Sequence, residues 1–361
     1  MPITSAHIPS TWLGNRTGPG NGRGQTEPEE VDVRAAVITE PGGPDVLQLQ
    51  EVADPSYGPD EVLVAIHASA LNRMDLLQRR GRYPIPPGVR ADIPGVEIAG
   101  VIDEVGDRVQ GWKRGDRVMA LVNGMGHATR IAVHERMLMP IPTNLDFAQA
   151  ASIPEVFLTA YDALMLQCEL SLGESVLIHA VGSGVGTAAV QLAHAQSCLT
   201  FGTAGSAEKL EQARALGLDV GINYHEADFA EVIERETGGA GVNVILDLIG
   251  APYWEQNQKA IGVKGRMILV GSLGGAMLEK TSVGFGGGKR ASMRGTALRS
   301  RPMEEKAILV QLFNQRIIPL FARGIVKPVI DRVFPFEEIS AAHSLMESNA
   351  NFGKIVLAIG G

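Results

Sequence analysis

The glycines at 182, 184 and 186 stand between an apolar run, Ser175-Val-Leu-Ile-His-Ala-Val181, and the residues Val185, Ala188, Ala189 and Leu192, which fall on one helix face. That order predicts strand, turn and helix. Glycine lets the backbone bend sharply and lets a phosphate approach the amide N–H groups at the positive end of a helix. The chemistry of such a turn is dinucleotide binding, with Ser183, Gly184 and Val185 beside the pyrophosphate. The strict G-x-G-x-x-G spelling is not met, because Thr187 stands where the third glycine would be.

A second group with chemical potential is Asn72, Asp75 and Arg79, spaced to share roughly one face of a short helix over Met74–Arg79, with Tyr83 just beyond. A helix cap or an ion pair accounts for Asn72 and Asp75 as readily as catalysis does. Thr159 follows Glu155 by one helical turn, where its plain role is a hydrogen bond back into its own helix. Ile249-Gly250 and Gly271-Ser-Leu273 fall at strand ends, where cofactors bind in open α/β sheets. His179 lies within the first strand of the glycine-turn unit and reads as a core histidine. His127, His134 and His343 have no cysteine or carboxylate neighbours at metal-ligand spacing, so no metal site is expected.

The elements that must position these residues fall into two patterns. From Val33 to about Pro154, short β-rich segments alternate with glycine and proline turns: Arg34–Ile38, Val46–Val52, Glu61–Ala68, Glu97–Val105, Arg117–Leu121 and Thr129–Val133. From about Val156, strands and helices alternate, as in a parallel sheet covered on both faces. After the glycine-turn unit come Leu199–Thr203 with Ala207–Leu216, Val220–Tyr224 with Phe229–Glu236, Val242–Leu246 with Trp254–Ile261, then Arg266–Gly271. A strand over Ser292–Leu298 leads to a helix from about Glu304 to Phe321, and Val326–Ala358 returns as strand, helix and strand to complete the first domain. The cluster Gly284-Phe-Gly-Gly-Gly288 reads as a flexible loop.

The fold class is α/β, a doubly wound Rossmann sheet inserted into a β-rich domain. Four segments are expected: a disordered extension over 1–31, the first part of the β-rich domain over 32–155, the nucleotide domain over 156–300, and a linker helix with the completion of the β-rich domain over 301–361. Glu27, Glu29 and Glu30 speak against a transit peptide in the first segment. A formal net charge of -8 over 361 residues argues against a nucleic-acid partner. No apolar run long enough for a membrane span is found, and the two cysteines, Cys168 and Cys198, exclude a disulfide framework. A cytoplasmic protein is expected.

Several phrases in this order resemble the zinc-free quinone oxidoreductases of the medium-chain dehydrogenase/reductase superfamily, in particular the p53-inducible type. They are Ala70-Leu-Asn-Arg-Met-Asp-Leu-Leu77, Gly95-Val-Glu-Ile-Ala-Gly100, Ile153-Pro-Glu-Val-Phe-Leu-Thr-Ala160, Ser183-Gly-Val-Gly-Thr-Ala-Ala189, Thr203-Ala-Gly-Ser206 and Asn351-Phe-Gly-Lys-Ile-Val-Leu357. The resemblance implies a GroES-like substrate domain around the Rossmann domain, and a homodimer paired through the edge strand Ser292–Leu298.

The alcohol-dehydrogenase branch of this superfamily has cysteine where Asn72 stands and histidine where Val96 stands. Valine has no donor atom and a neutral amide is a poor zinc ligand. Without a Lewis acid, alcohol oxidation loses its means of making an alkoxide, whereas an already activated quinone or enone needs only hydride or electrons and a hydrogen-bond donor.

No carboxylate occupies the strand end Thr203-Ala-Gly-Ser206, which disfavours NAD, and the resemblance places Lys209 on the 2′-phosphate of NADPH with Gly205, Ser206 and Tyr224 beside it. It also places Tyr83 and Thr159 near the nicotinamide, makes Tyr83 and Asn72 the catalytic residues, Tyr83 touching cofactor or substrate and Asn72 polarising the substrate, and has Asn351 close the cleft. The expected activity is NADPH-dependent, flavin-free reduction of quinones or similar conjugated carbonyls. Two alternatives stand beside it: reduction of an enoyl or enone carbon–carbon double bond, and a crystallin-like NADPH-binding protein with little turnover.

Overall fold

A computed structural model describes residues 33–279 and 285–360. The expected disordered extension and Gly284 lie outside the described residues.

The glycine turn joins β8 (Ser175–Ile178) to α4 (Gly184–Ala195). Ser183 caps α4 through its Oγ, which accepts the Gly186 N–H at 3.0 Å. Thr187, at the third-glycine position, turns its hydroxyl back to Gly184 O at 2.9 Å. Close packing of helix on strand is instead carried by Gly186, where an added Cβ would stand 2.3 Å from Ala180 O. The departure from the usual spelling is thus a one-residue transfer of the packing role.

Around this unit lie β9 (Leu199–Ala204), α5 (Ala207–Arg214), β10 (Val220–Asn223), α6 (Phe229–Glu236), β11 (Val242–Asp247), α7 (Trp254–Ala260), β12 (Ile261–Leu269) and β13 (Ser292–Gly295). All pair in parallel, in the order β10-β9-β8-β11-β12-β13. Chain order reverses beside β8, so the carboxyl ends of β8 and β11 flank the crevice in which such sheets bind ligands. The central strands β8 and β11 are buried on both faces. Leu177 and Ile245 meet Phe229 and Ile233 of α6 on one side, while Val176, Ile178, Val244 and Leu246 join the main core on the other. His179 is satisfied as a core residue: Nε2 donates to Asn257 Oδ1 at 2.8 Å and Nδ1 accepts from the Thr203 hydroxyl at 3.0 Å.

The β-rich part contributes β1 (Val33–Ile38) and β2 (Leu47–Val52), a hairpin, then β3 (Glu61–Ala70), α1 (Arg73–Arg79), β4 (Glu97–Val105), β5 (Arg117–Leu121), β6 (Arg130–His134) and β7 (Leu138–Pro140). After the parallel sheet the chain returns through α8 (Met303–Arg316), α9 (Ile318–Ala322), β14 (Ile330–Pro335), α10 (Ile339–Glu347) and β15 (Lys354–Ala358). The seven-stranded sheet runs β14-β15-β3-β4-β5-β7, with β6 also on β3. β15 pairs antiparallel with the end of β3, Val356 opposite Ala70, which ties the last strand of the chain to the entry of α1.

Four expectations are corrected. The strand expected over Ser292–Leu298 ends at Gly295, beyond which Thr296 N–H still donates to Leu269 O at 3.0 Å and Leu298 turns into the core. The helix from Glu304 to Phe321 is two helices, broken ahead of Pro319, which has no N–H to continue the ladder. Strand β2 starts one residue later than expected, because Pro44–Val46 forms a 3-10 turn. The described part of the glycine-rich loop is tied down: Phe285 packs on Trp254 at 5.4 Å, and Lys289 Nζ donates to the carbonyls of Gln258, Lys259 and Ile261, capping α7. Between the two sheets, α2 (Phe147–Ala151) and α3 (Pro154–Tyr161) form the junction; the helical turn expected from Glu155 to Thr159 lies in α3, whereas the sequence pattern does not single out α2.

Replacing Gly186 by alanine would force its Cβ into the Ala180 carbonyl, with a destabilisation of about 1–3 kcal/mol. Thermal unfolding of Gly186→Ala against wild type measures it; an unshifted midpoint would mean that α4 can move off β8 freely.

Candidate active site

The first functional residues meet at a buried ion pair. Lys354, the first residue of β15, places Nζ 2.7 Å from Glu97 Oε1 of β4, and both side chains are buried. Lys354 Nζ also donates to Leu71 O at 2.6 Å and to Asn72 Oδ1 at 2.8 Å. Asn72 Nδ2 donates in turn to Glu97 Oε1 at 2.8 Å and to Ala70 O at 3.3 Å. The other Glu97 oxygen accepts the backbone N–H of Glu155, at the start of α3, at 2.8 Å. Gly184 closes the group: an added Cβ there would lie 2.7 Å from Lys354 Cδ and 2.8 Å from Val156 Cγ1. Glycine turn, α1, β4, α3 and β15 therefore converge on one ammonium group.

This corrects the reading of Asn72. Its amide hydrogens and its carbonyl oxygen are all engaged by the protein, so it has nothing left with which to polarise a substrate. Its neighbour Asp75 is the cap. Asp75 Oδ2 accepts Asn72 N–H at 2.7 Å and Oδ1 accepts Gly95 N–H at 3.1 Å, with His127 Nε2 at 3.8 Å. Burial pushes the Asp75 carboxyl upward, but His127, His343 and the Asn72 N–H outweigh it and hold the group below the ordinary carboxylate value. Arg79 is fully buried and bonds Gly42 O, His343 and Glu347, so it is structural.

Near this group, three buried polar atoms have no hydrogen-bond partner among the described residues: Glu155 Oε2, Thr159 Oγ1 and Arg299 Nη2. Glu155 and Thr159 are one turn apart on α3. Arg299 lies over the Tyr83 ring at 5.3 Å and is anchored by Asn123 O at 2.7 Å and Gln78 Oε1 at 3.1 Å. Tyr83 is half-buried, and burial, with the Glu155 charge next, raises its pKa. The sequence reading named Tyr83 and Thr159 but missed Arg299, Glu97 and Lys354 as site residues. A lysine in the apolar strand Lys-Ile-Val-Leu was the available signal, since a buried ammonium requires a buried partner.

On the sheet side, Ser206 Oγ caps α5 by accepting Lys209 N–H at 3.3 Å. Lys209 Nζ donates to Asn349 O at 2.6 Å, and Arg73 donates to Asn349 Oδ1. Burial, then the neighbouring Arg73 charge, lowers the Lys209 pKa. Two cations thus lie together, neither of them in a salt bridge with a described carboxylate. Gly205 leaves room for the Tyr224 hydroxyl, 2.5 Å from where a Cβ would stand, and Tyr224 itself is exposed. Asn351 folds back on Gly353 O at 2.8 Å. Ile249 and Gly250 donate their N–H groups to Asp247 Oδ1, and Leu273 N–H donates to Leu248 O, so the ends of β11 and β12 are locked together. Gly271 and Ser272 line a cavity of about 680 Å³ there, with Gly250 and Thr296. A helix N-terminus at Gly184, a cation pair and a side-chain-free Gly205 make a cradle that fits an anionic nucleotide.

Fold and site define an oxidoreductase that works with a pyridine nucleotide. Residues 58–146 match the alcohol dehydrogenase GroES-like domain family and residues 184–315 the zinc-binding dehydrogenase family. The quinone oxidoreductase of Rattus norvegicus is 32% identical over 330 residues, 91% of this chain and 98% of that one. Among solved structures, the CurK enoyl reductase has a TM-score of 0.82 at 29% identity, covering 91% of this chain and 100% of that chain. An NAD-dependent alcohol dehydrogenase has a TM-score of 0.81 at 32% identity with the same coverage. The chain belongs to the quinone oxidoreductase type of the medium-chain dehydrogenase/reductase superfamily.

Lys354→Met leaves the Glu97 carboxylate buried without its cation and should cost about 3–5 kcal/mol, with Glu97→Gln in the same chain recovering part of the loss. Chemical denaturation of the two variants measures both; an unperturbed single variant would show that the pair is not what joins these elements.

Proposed function

We propose that this protein reduces quinones or similar conjugated carbonyls with NADPH, without zinc and without flavin. The observation that carries this reading is the saturation of Asn72. At the position where the alcohol-dehydrogenase branch offers a ligand, this chain has an amide fully engaged by Lys354 and Glu97, and Val96 has no donor atom. Among the described residues no three His, Cys, Asp or Glu side chains are grouped as a metal would require. An acceptor that is already electrophilic suits such a site, because it needs no Lewis acid.

When bound, the reduced nicotinamide supplies a hydride. The chain's residues bind and orient. We assign Ser183, Gly184 and Val185 to the pyrophosphate, and Gly205, Ser206, Lys209 and Tyr224 to the 2′-phosphate end, with Arg73 beside them. Tyr83, Thr159, Ile249, Gly271, Ser272, Leu273 and Asn351 frame the nicotinamide end, and Asn72 positions Glu97 and Lys354. Residues 32–155 and 301–361 serve as the substrate side and 156–300 as the nucleotide side. The similarity to an enoyl reductase favours one second reading, hydride addition to a conjugated carbon–carbon double bond. Among the described residues no helix is long and apolar enough to cross a membrane, and we place the protein in the cytoplasm.

The cofactor choice is tested at Lys209. A hydrogen bond to a charged group contributes about 1.5–3 kcal/mol, or roughly ten- to hundredfold in binding. Wild type is expected to prefer NADPH over NADH by at least that order, and Lys209→Ala to lose most of the preference by weakening NADPH alone. Steady-state oxidation of both cofactors with ortho-quinones, para-quinones and enals, with and without a chelator, reads preference, acceptor and metal independence together. Equal use of both cofactors, or equal weakening by the variant, would return Lys209 to the surface.

The edge strand β13 has all four residues exposed, Met293 among them, and β12 on one side only. We propose that it pairs with its copy in a homodimer. Light scattering at micromolar concentration is expected to give twice the chain mass; the monomer mass would refute it.

A further inference from the structure

We propose that Glu155 is the acid that protonates the carbonyl oxygen of the acceptor as it is reduced. This rests on the reading of the protein as a reductase of conjugated carbonyls.

The geometry of α3 supplies the first argument. Glu155 and Thr159 are each 8% exposed, share one face of the helix, and have polar atoms without partners among the described residues. Arg299, whose charge acts on Glu155 and whose guanidinium lies over the Tyr83 ring, has a third such atom, Nη2. Orphaned buried polar atoms are rare in native proteins, and three at the meeting of two domains mark a place where a ligand completes the bonding. A protonated carboxyl has one O–H to give, and the described protein offers Glu155 no acceptor for it.

Charge acts on Glu155 from several elements. Around Glu155 stand Glu97 on β4, Lys354 on β15, Asp75 on α1, Tyr83 beyond α1, Arg299 ahead of α8 and Lys306 on α8. Lys354 is the natural counter-ion, but its ammonium is held by Glu97, Leu71 O and Asn72. Arg299 is turned to Asn123 and Gln78. Burial first, and Glu97 second, therefore push the Glu155 carboxyl up to about 8, so that it carries its proton at neutrality.

The conjugated acceptor gains a hydride, and with it two electrons; its carbonyl π bond opens onto oxygen. The Glu155 O–H bond breaks and a new O–H bond forms on that oxygen, giving a hydroquinone or an enol. The Glu155 carboxylate recovers a proton from water. In sum, one acceptor, one reduced nicotinamide and one solvent proton become one reduced acceptor and one oxidised nicotinamide.

The test compares wild type with Glu155→Gln and Glu155→Asp as full chains, using NADPH and a para-quinone. Wild-type kcat is expected to hold at low pH and to fall about tenfold per unit above the Glu155 titration, while Glu155→Gln is slowed about 10²–10⁴-fold with a flat profile and an unchanged Kd for NADPH by fluorescence titration. Glu155→Asp should keep a titrating profile. A readout independent of turnover is the pH dependence of unfolding. The folded state holds this proton more tightly than the unfolded chain, so its stabilising contribution is present below the ordinary carboxylate value of 4.5 and is lost as pH rises to about 8. Glu155→Gln should remove that slope. If wild type turns over but Glu155→Gln keeps its rate and pH break, the acid assignment is overturned and the reductase reading stands. If wild type reduces no quinone or enone, the reductase reading itself fails. Should Glu155→Gln not fold, a wild-type kcat that stays flat through the Glu155 titration overturns the proposal alone.

Discussion

The buried pair of Lys354 and Glu97 is the constraint on which the site depends. Two charges removed from water are tolerated only where their geometry is good and every remaining donor and acceptor is met. Here that requirement recruits the Leu71 carbonyl, the Asn72 carboxamide and the Glu155 backbone N–H. Since Lys354 opens the last strand and Glu97 the fourth, the pair also explains why the chain must come back after its parallel sheet. It explains the size limit at residue 184 as well, because the lysine stem lies against the first turn of α4.

The same pair sets the protonation of the cleft by subtraction. Asp75 and Glu155 are both buried carboxyls near the domain junction. Asp75 is met by two backbone N–H groups and lies beside His127 and His343, and it is held as an anion. Glu155 receives no such donors; Lys354 is committed to Glu97, and Lys306 to Asn123 and the Arg299 carbonyl. Environment, not residue type, therefore gives two carboxyls opposite states. His343 is itself pushed down to about 3, chiefly by burial.

A second convergence occurs over Asn349, where Arg73 from α1 and Lys209 from α5 are bonded to one residue of the returning chain. Arg73 begins the helix that Asp75 caps, so the nucleotide cradle and the carboxyl cleft share a rigid element. Like charges brought together in a partly desolvated place repel, and an anion between them relieves the repulsion.

Much of the architecture was legible in the residues alone. The period of 185, 188, 189 and 192, the glycines at 182, 184 and 186, and the alternation of strand and helix that follows specify a parallel sheet entered through a glycine turn, because backbone sterics and hydrophobic period act within a few residues. The missing donor at Val96 was equally plain, since a side chain without a lone pair cannot gain one by folding. Short-range rules misplaced ends, as at Gly295, ran one helix through the break ahead of Pro319, and left α2 unmarked.

What the tertiary structure decided was partnership. Lys354 meets Asn72 across 282 positions and Glu155 meets Glu97 across 58, separations at which no local pattern speaks. Whether Asn72 faces a substrate or a lysine, and whether a carboxyl carries its proton, depend on desolvation and on which charges stand nearby. Those quantities come into being only when distant segments have packed and the water between them has gone.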